Sequence, residues 1–195
     1  MKKIRILFVL VALLSISIGA GAQDLRTPGT RVADLLARIP ADNMELASRL
    51  MEEMYALGEQ ERSMICEQII PAGTGDDIRP RYAVSSLTVH LSADRNDLRK
   101  RVWEKECIEF MDRATDREVR SFFMRQLNLV GSDAAVEALK PWVLSPEMCD
   151  DAVITLQSIG TSGAADLLAS ALSVSECPCA AQVMVALAGT RPGTE

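Results

Sequence analysis

Residues 117–143 read REVRSFFMRQLNLVGSDAAVEALKPWV, and residues 151–172 read DAVITLQSIGTSGAADLLASAL. In both, an apolar helical rhythm runs into a glycine, a hydroxyl residue follows, and a second helical rhythm begins. The junctions Gly131-Ser132 and Gly160-Thr161 stand 29 residues apart, and Gly189-Thr190 extends the series at the same interval. Flanking positions recur in kind: Leu127, Leu156 and Val185 before the glycine, Ala135 and Ala164 after it, then Leu139 and Leu168. Three matched junctions with matched flanks mark an internal repeat of helical units.

Elementary backbone physics says what such a unit is. Glycine tolerates the left-handed conformation just past a helix end, and a Ser or Thr hydroxyl caps the first amides of the next helix. The junctions therefore predict two antiparallel helices per unit, joined by a tight turn with each glycine left-handed. Glu137, Asp166 and Glu195 recur near the start of the second helix, a turn late for the strongest interaction with its dipole.

On these two stretches the chain resembles secreted bacterial proteins built from HEAT repeats, in the style of short lyase-like units with an A-x-x-x-L-x-x-I-G-x-x-x-A-x-x-x-L rhythm. The resemblance covers about residues 77–189 well and 30–76 loosely. It implies an all-α, armadillo-like fold, a right-handed α-solenoid of stacked antiparallel helix pairs, with a protein-binding or supporting role. Such a motif specifies architecture and not activity, so it implies no catalytic and no cofactor-binding residue.

The N-terminus carries a separate signal. Lys2, Lys3 and Arg5 precede an apolar run from Ile6 to Ile18, which ends in Gly19-Ala20-Gly21-Ala22 ahead of Gln23. That order predicts a secretory signal peptide, residues 1–22, cleaved after Ala22. The run of 13 residues is short of the roughly 20 a membrane span needs, and Gln23 offers no thiol for a lipid anchor. The expected location is the periplasm or the medium.

Without residues 1–22 the chain keeps 18 Lys+Arg against 27 Asp+Glu, a net charge of −9. Such a balance argues against nucleic acid and anionic membrane surfaces as partners. Few aromatics and no alternating Val/Ile/Thr runs favour helices throughout. A polar lead (residues 23–30) precedes a degenerate helical part (31–76) with helices at about 31–39, 42–57 and 59–70. The repeats follow over 77–195, with helices near 78–91, 97–113, 116–130, 133–144, 147–159, 162–173 and 178–188. Asp76 or Asp77, closing the loop 71–77, is the expected cap of the first of these. In the run DLRKRVWEKECIEFMDRATDREVR (residues 97–120) the dense mixed charge, Glu106 included, reads as a solvated helix face, while Trp103, Cys107, Phe110 and Ala114 face the core. The last unit is incomplete: Gly189-Thr190 opens a second helix that five residues cannot build, and Val183, Val185 and Leu187 form no polar cap. We therefore expect either a piece of a longer protein or an end that is itself an interface.

Cysteine is the residue type with most chemical promise. Adding the period to Cys149 lands on position 178, so Cys177 and Cys179 flank the equivalent place one unit on. A disulfide from Cys149 to Cys177 or Cys179 would staple adjacent units and stabilise by about 3 kcal/mol. Cys177-Pro178-Cys179 lacks the C-x-x-C spacing of a redox pair, and no run of Cys and His has zinc-finger spacing. Met44, Met51, Met54 and Met64 with Cys66 raise soft-metal binding, but only Met51 and Met54 are expected to share a face, so packing is favoured. Asp76 and Asp77 lack the further oxygens of a calcium loop. His90 reads as a solvated or capping residue, since no nucleophile motif accompanies it.

The sequence thus predicts an exported helical-repeat scaffold without catalysis, metal or cofactor of its own, binding a protein partner in the envelope or outside the cell. The alternative is the N-terminal helical part of a larger secreted enzyme, in particular a carbohydrate-active one.

Overall fold

The computed structural model describes residues 24–94, 96–174 and 176–189. The signal-peptide segment, Thr190 and Glu195 lie outside the described residues. Among the described residues there are ten helices and no strand: α1 (Pro28–Ala37), α2 (Met44–Ala56), α3 (Glu59–Cys66), α4 (Ile78–Ser92), α5 (Arg99–Arg113), α6 (Arg117–Val130), α7 (Asp133–Leu139), α8 (Cys149–Ile159), α9 (Ser162–Leu172) and α10 (Ala180–Gly189). None is long and apolar enough to cross a membrane.

Side-chain chemistry explains where they start and stop. Thr27 accepts from the Thr30 amide, and Pro28 occupies the first turn, where its missing N–H costs nothing. Residues 28–30 are therefore helical and not part of a flexible lead. Asn43, Asp116, Ser132 and Thr161 cap α2, α6, α7 and α9 with side-chain oxygens. Two helices stop earlier than expected. After Cys66 the amides of Gln68 and Ile69 tighten onto carbonyls three residues back, and after Leu139 the chain runs in turns to Leu144.

The glycine junctions differ from one another. Gly160 is left-handed (φ 64°), as such a stop requires. Gly131 is not: its φ is −64° and its ψ 150°. Its reason is space, because a Cβ there would sit 2.5 Å from the Leu127 carbonyl oxygen and 2.9 Å from the Ile159 side chain. Gly189 is the last residue of α10.

Helices touch next-nearest neighbours as regularly as nearest ones. One row runs α2, α4, α6, α8, α10, and a second joins α1 to α3 and α5 through α7 to α9. Arg62 on α3 and Glu106 on α5 link the two halves of that second row with a buried bidentate ion pair at 2.5 and 2.9 Å. Cross-helix bonds recur at nearly constant separation along the chain: Arg31 to Glu61, Glu104 to Ser132, Ser121 to Asp151, the Met124 carbonyl to Thr155, and Asp133 to Thr161, with separations of 28–31 residues. The repeat read from the glycines is thus also a repeat of contacts. Between the rows lies one apolar core around Trp103, Phe123, Leu127, Leu139 and Leu156, all at most 1% exposed. Trp103 Nε1 donates to Thr88 Oγ1 at 2.8 Å, which satisfies the buried indole and hydroxyl together.

Helix α5 departs from the sequence reading. Trp103, Cys107 and Phe110 are buried, but so are Glu104 (2% exposed) and Glu106 (5%). Its charge is not a solvated face, because each buried carboxylate meets donors supplied by another helix.

Candidate functional site

Between α2 and α4 the surface opens into a groove of about 460 Å³. Its volume follows from side-chain size: Ala47 and Ser48 on α2 oppose Ser85 and Ser86 on α4, four short residues where a packed pair of helices would place large ones. Around them stand Met44 (86% exposed), Tyr82 (42%) and Val89 (58%), with Met51 buried beneath. Met44 and Met51 thus line one groove, whereas Met54 is wholly buried in the core, so the expected pairing of Met51 with Met54 on one functional face gives way to Met44 with Met51.

The groove ends at His90, which is neither solvated nor a cap. Its Nε2 pairs with Glu52 Oε1 at 2.7 Å, and Glu52 Oε2 accepts from Arg99 at 2.6 Å. Arg99 also binds Asp97 at 2.6 Å and lies 5.3 Å from the Tyr55 ring centroid. The Arg99 guanidinium is the main reason the Glu52 carboxyl lies below the usual range, with His90 adding to it, and the same guanidinium lowers Asp97. The arrangement is an apolar trough with hydroxyls along it and a braced charge cluster at one end. A concave apolar surface with a few convergent polar groups suits a ligand of mixed character. Sequence reasoning missed it because its members come from α2, α4 and the start of α5, and no local spacing unites them.

The junction hydroxyls are structural. Ser132 Oγ and the Ser132 amide both donate to Glu104, at 2.7 and 2.5 Å, and Thr161 Oγ1 donates to Asp133 at 2.7 Å. Glu104 and Asp133 stand 29 residues apart, so the acid partners carry the same period as the glycines. That signal was present in the sequence, one unit upstream of where the acidic positions 137 and 166 drew attention. At the loop 71–77, Asp76 Oδ1 accepts from the Ile78 amide at 3.1 Å, while Asp77 instead ties the Ile70 amide and Arg81 together at 3.0 and 2.7 Å.

Cys149, at the first position of α8, and Cys179, just before α10, form a disulfide with a Cα–Cα distance of 6.0 Å across a separation of 30 residues. Cys177 is a free, part-exposed thiol. Cys66 and Cys107 are free and buried, and burial pushes both thiols well above their usual range, which makes them poor nucleophiles. The Asp150 carboxylate and the two bonded sulfurs all lie within 4.8 Å of one another.

Compared with known proteins, the chain matches no family model and no curated sequence.

Proposed function

We propose that this chain is an exported HEAT-type scaffold, a right-handed α-solenoid that catalyses no reaction of its own and holds a protein partner of the cell envelope or the medium. The observation that carries the reading is the groove between α2 and α4. It exposes Met44, Tyr82 and Val89 together, and methionine surfaces adapt to varied apolar partners. The occupant that fits is a segment of a partner protein presenting apolar side chains, with a polar group to meet the Glu52–His90 end. The repeated 28–31-residue contacts support the array reading, since units of a solenoid touch only their neighbours.

Two experiments test this. A photo-crosslinking side chain at position 89 should capture a discrete envelope protein, and one at Lys105, which is 77% exposed in its side chain and lies on α5 in the other row, should not. Equal capture from both sites, or none from position 89, sinks the groove. For the array, excising residues 132–160 fuses Gly131 to Thr161 and recreates a junction of the same kind. Retained helicity per residue and cooperative melting fit stacked units; an unfolded product contradicts them.

A further inference from the structure

The C-terminal disulfide coincides with a collection of metal donors. Cys149 Sγ, Cys179 Sγ and an Asp150 carboxylate oxygen lie within 4.8 Å of one another, and Asp150 is exposed, with no hydrogen-bond or ion-pair partner among the described residues. The electrostatic setting favours a cation independently of those distances. Between Lys140 and Arg191 the sequence has no Lys, Arg or His, while Glu147, Asp150, Asp151, Asp166 and Glu176 are all acidic. Asp151, next to the site, is engaged by Ser121 at 2.6 Å, so Asp150 is the acid left to act as a ligand. Two thiolates and a carboxylate make a set suited to a borderline-soft divalent ion.

We propose that Cys149, Cys179 and Asp150 form a redox-gated site for a zinc-class divalent cation: closed as a disulfide when oxidised, metal-binding when reduced. This goes beyond the scaffold role and does not depend on it. A dithiol reductant supplies two electrons and two protons, breaks the Sγ–Sγ bond to give two thiols, and leaves as its own disulfide. Metal binding then displaces the two thiol protons, and the bound cation replaces the covalent link between the start of α8 and the segment before α10. Solvent holds the remaining position. Local spacing conceals such a site, because its donors come from segments 30 residues apart.

Cobalt(II) is the probe, since its thiolate bonds absorb in the near ultraviolet. The full chain, reduced with a dithiol that is then removed anaerobically, is titrated with cobalt(II) and back-titrated with zinc. The expected result is thiolate-to-metal absorbance saturating at one ion per chain in the reduced protein, none in the oxidised protein, and bleaching by zinc. C149S should abolish the band, and D150N should weaken binding by about tenfold or more, since even outer partners of ligands cost that much. Circular dichroism of the same samples covers a reduced chain that loses helix: recovery on adding zinc supports the site. Absence of the band with five titratable thiols, a band that survives in C149S, full affinity in D150N, or lost helix that zinc does not restore would each overturn it.

Discussion

The period of the chain is expressed most strongly in Glu104, whose replacement gives a graded and numerical test. Its carboxylate, 2% exposed, accepts from the Ser132 amide at 2.5 Å, the Ser132 hydroxyl at 2.7 Å, the Ala135 amide at 3.3 Å and Arg101 at 2.6 Å. In Glu104→Ala the two amides at the start of α7 lose their acceptor and a cavity replaces the side chain. Hydrogen bonds to charged groups contribute about 1.5–3 kcal/mol each, and stripping a partner from a buried charged network costs about 3–5 kcal/mol, so we expect a loss in that range. Glu104→Gln keeps the shape and one acceptor but turns an NH₂ toward donors, and should cost about 2 kcal/mol. Asp133 performs the equivalent task one unit later at an exposed position, with a single bond to Thr161, so Asp133→Ala should cost less than about 1 kcal/mol. Urea denaturation followed by circular dichroism at neutral pH measures all three. For a chain of this size about 2–4 °C accompanies each kcal/mol, so Glu104→Ala should melt roughly 10 °C early. A loss below about 1 kcal/mol for Glu104→Ala, or an equal loss for Asp133→Ala, would refute the view that the buried acid fastens one unit to the next.

Three further outcomes follow from the geometry. Gly131→Ala should destabilise by about 1–3 kcal/mol through overpacking, and Ile159→Ala in the same chain should recover part of that loss in a double-mutant cycle. Gly160→Ala, whose cost of about 1–2 kcal/mol is backbone strain, should show no such recovery. At the buried Arg62–Glu106 pair, Glu106→Leu alone should lose about 3–5 kcal/mol, whereas adding Arg62→Met should restore most of it; equal losses in single and double variants would contradict a desolvated pair. Glu52 lies below its ordinary value of 4.5 in the folded protein, so its contribution is present above that value and drains away as pH falls through the lowered one. Its side chain is half exposed, so the effect is small. Glu52→Gln should flatten the acid limb of a stability profile below pH 4.5, and an unchanged limb would remove Glu52 from the account.

Helices were legible wherever one residue sufficed to mark an end. Thr161 capping α9 and left-handed Gly160 closing α8 obey rules local to a few residues, and Pro28 was misjudged only because Thr27 before it was not taken as a cap. Gly131 shows the limit of that logic. Its junction repeats that of Gly160 in the sequence, yet its backbone is extended and its lack of a side chain serves Ile159, which lies 28 residues away. The charge on α5 failed for the same reason. Glu104 and Glu106 look like solvated residues until Ser132 and Arg62 are brought to them by neighbouring helices. The groove was hidden because small residues such as Ser85 and Ser86 announce nothing by themselves; what matters is that Ala47 and Ser48 oppose them.

The disulfide also decides how the chain bears mechanical load. Tension applied along the helices from Met44 toward Gly189 enters at Cys149 and leaves at Cys179 through the sulfur–sulfur bond, bypassing the intervening residues. That stretch, separated by 30 positions, would stay slack while the segments before it unravel, hiding about 100 Å of extensible length at roughly 3.4 Å per residue. Reduction would release that length, so the redox state of two sulfurs sets how far this end of the molecule can be stretched before it yields.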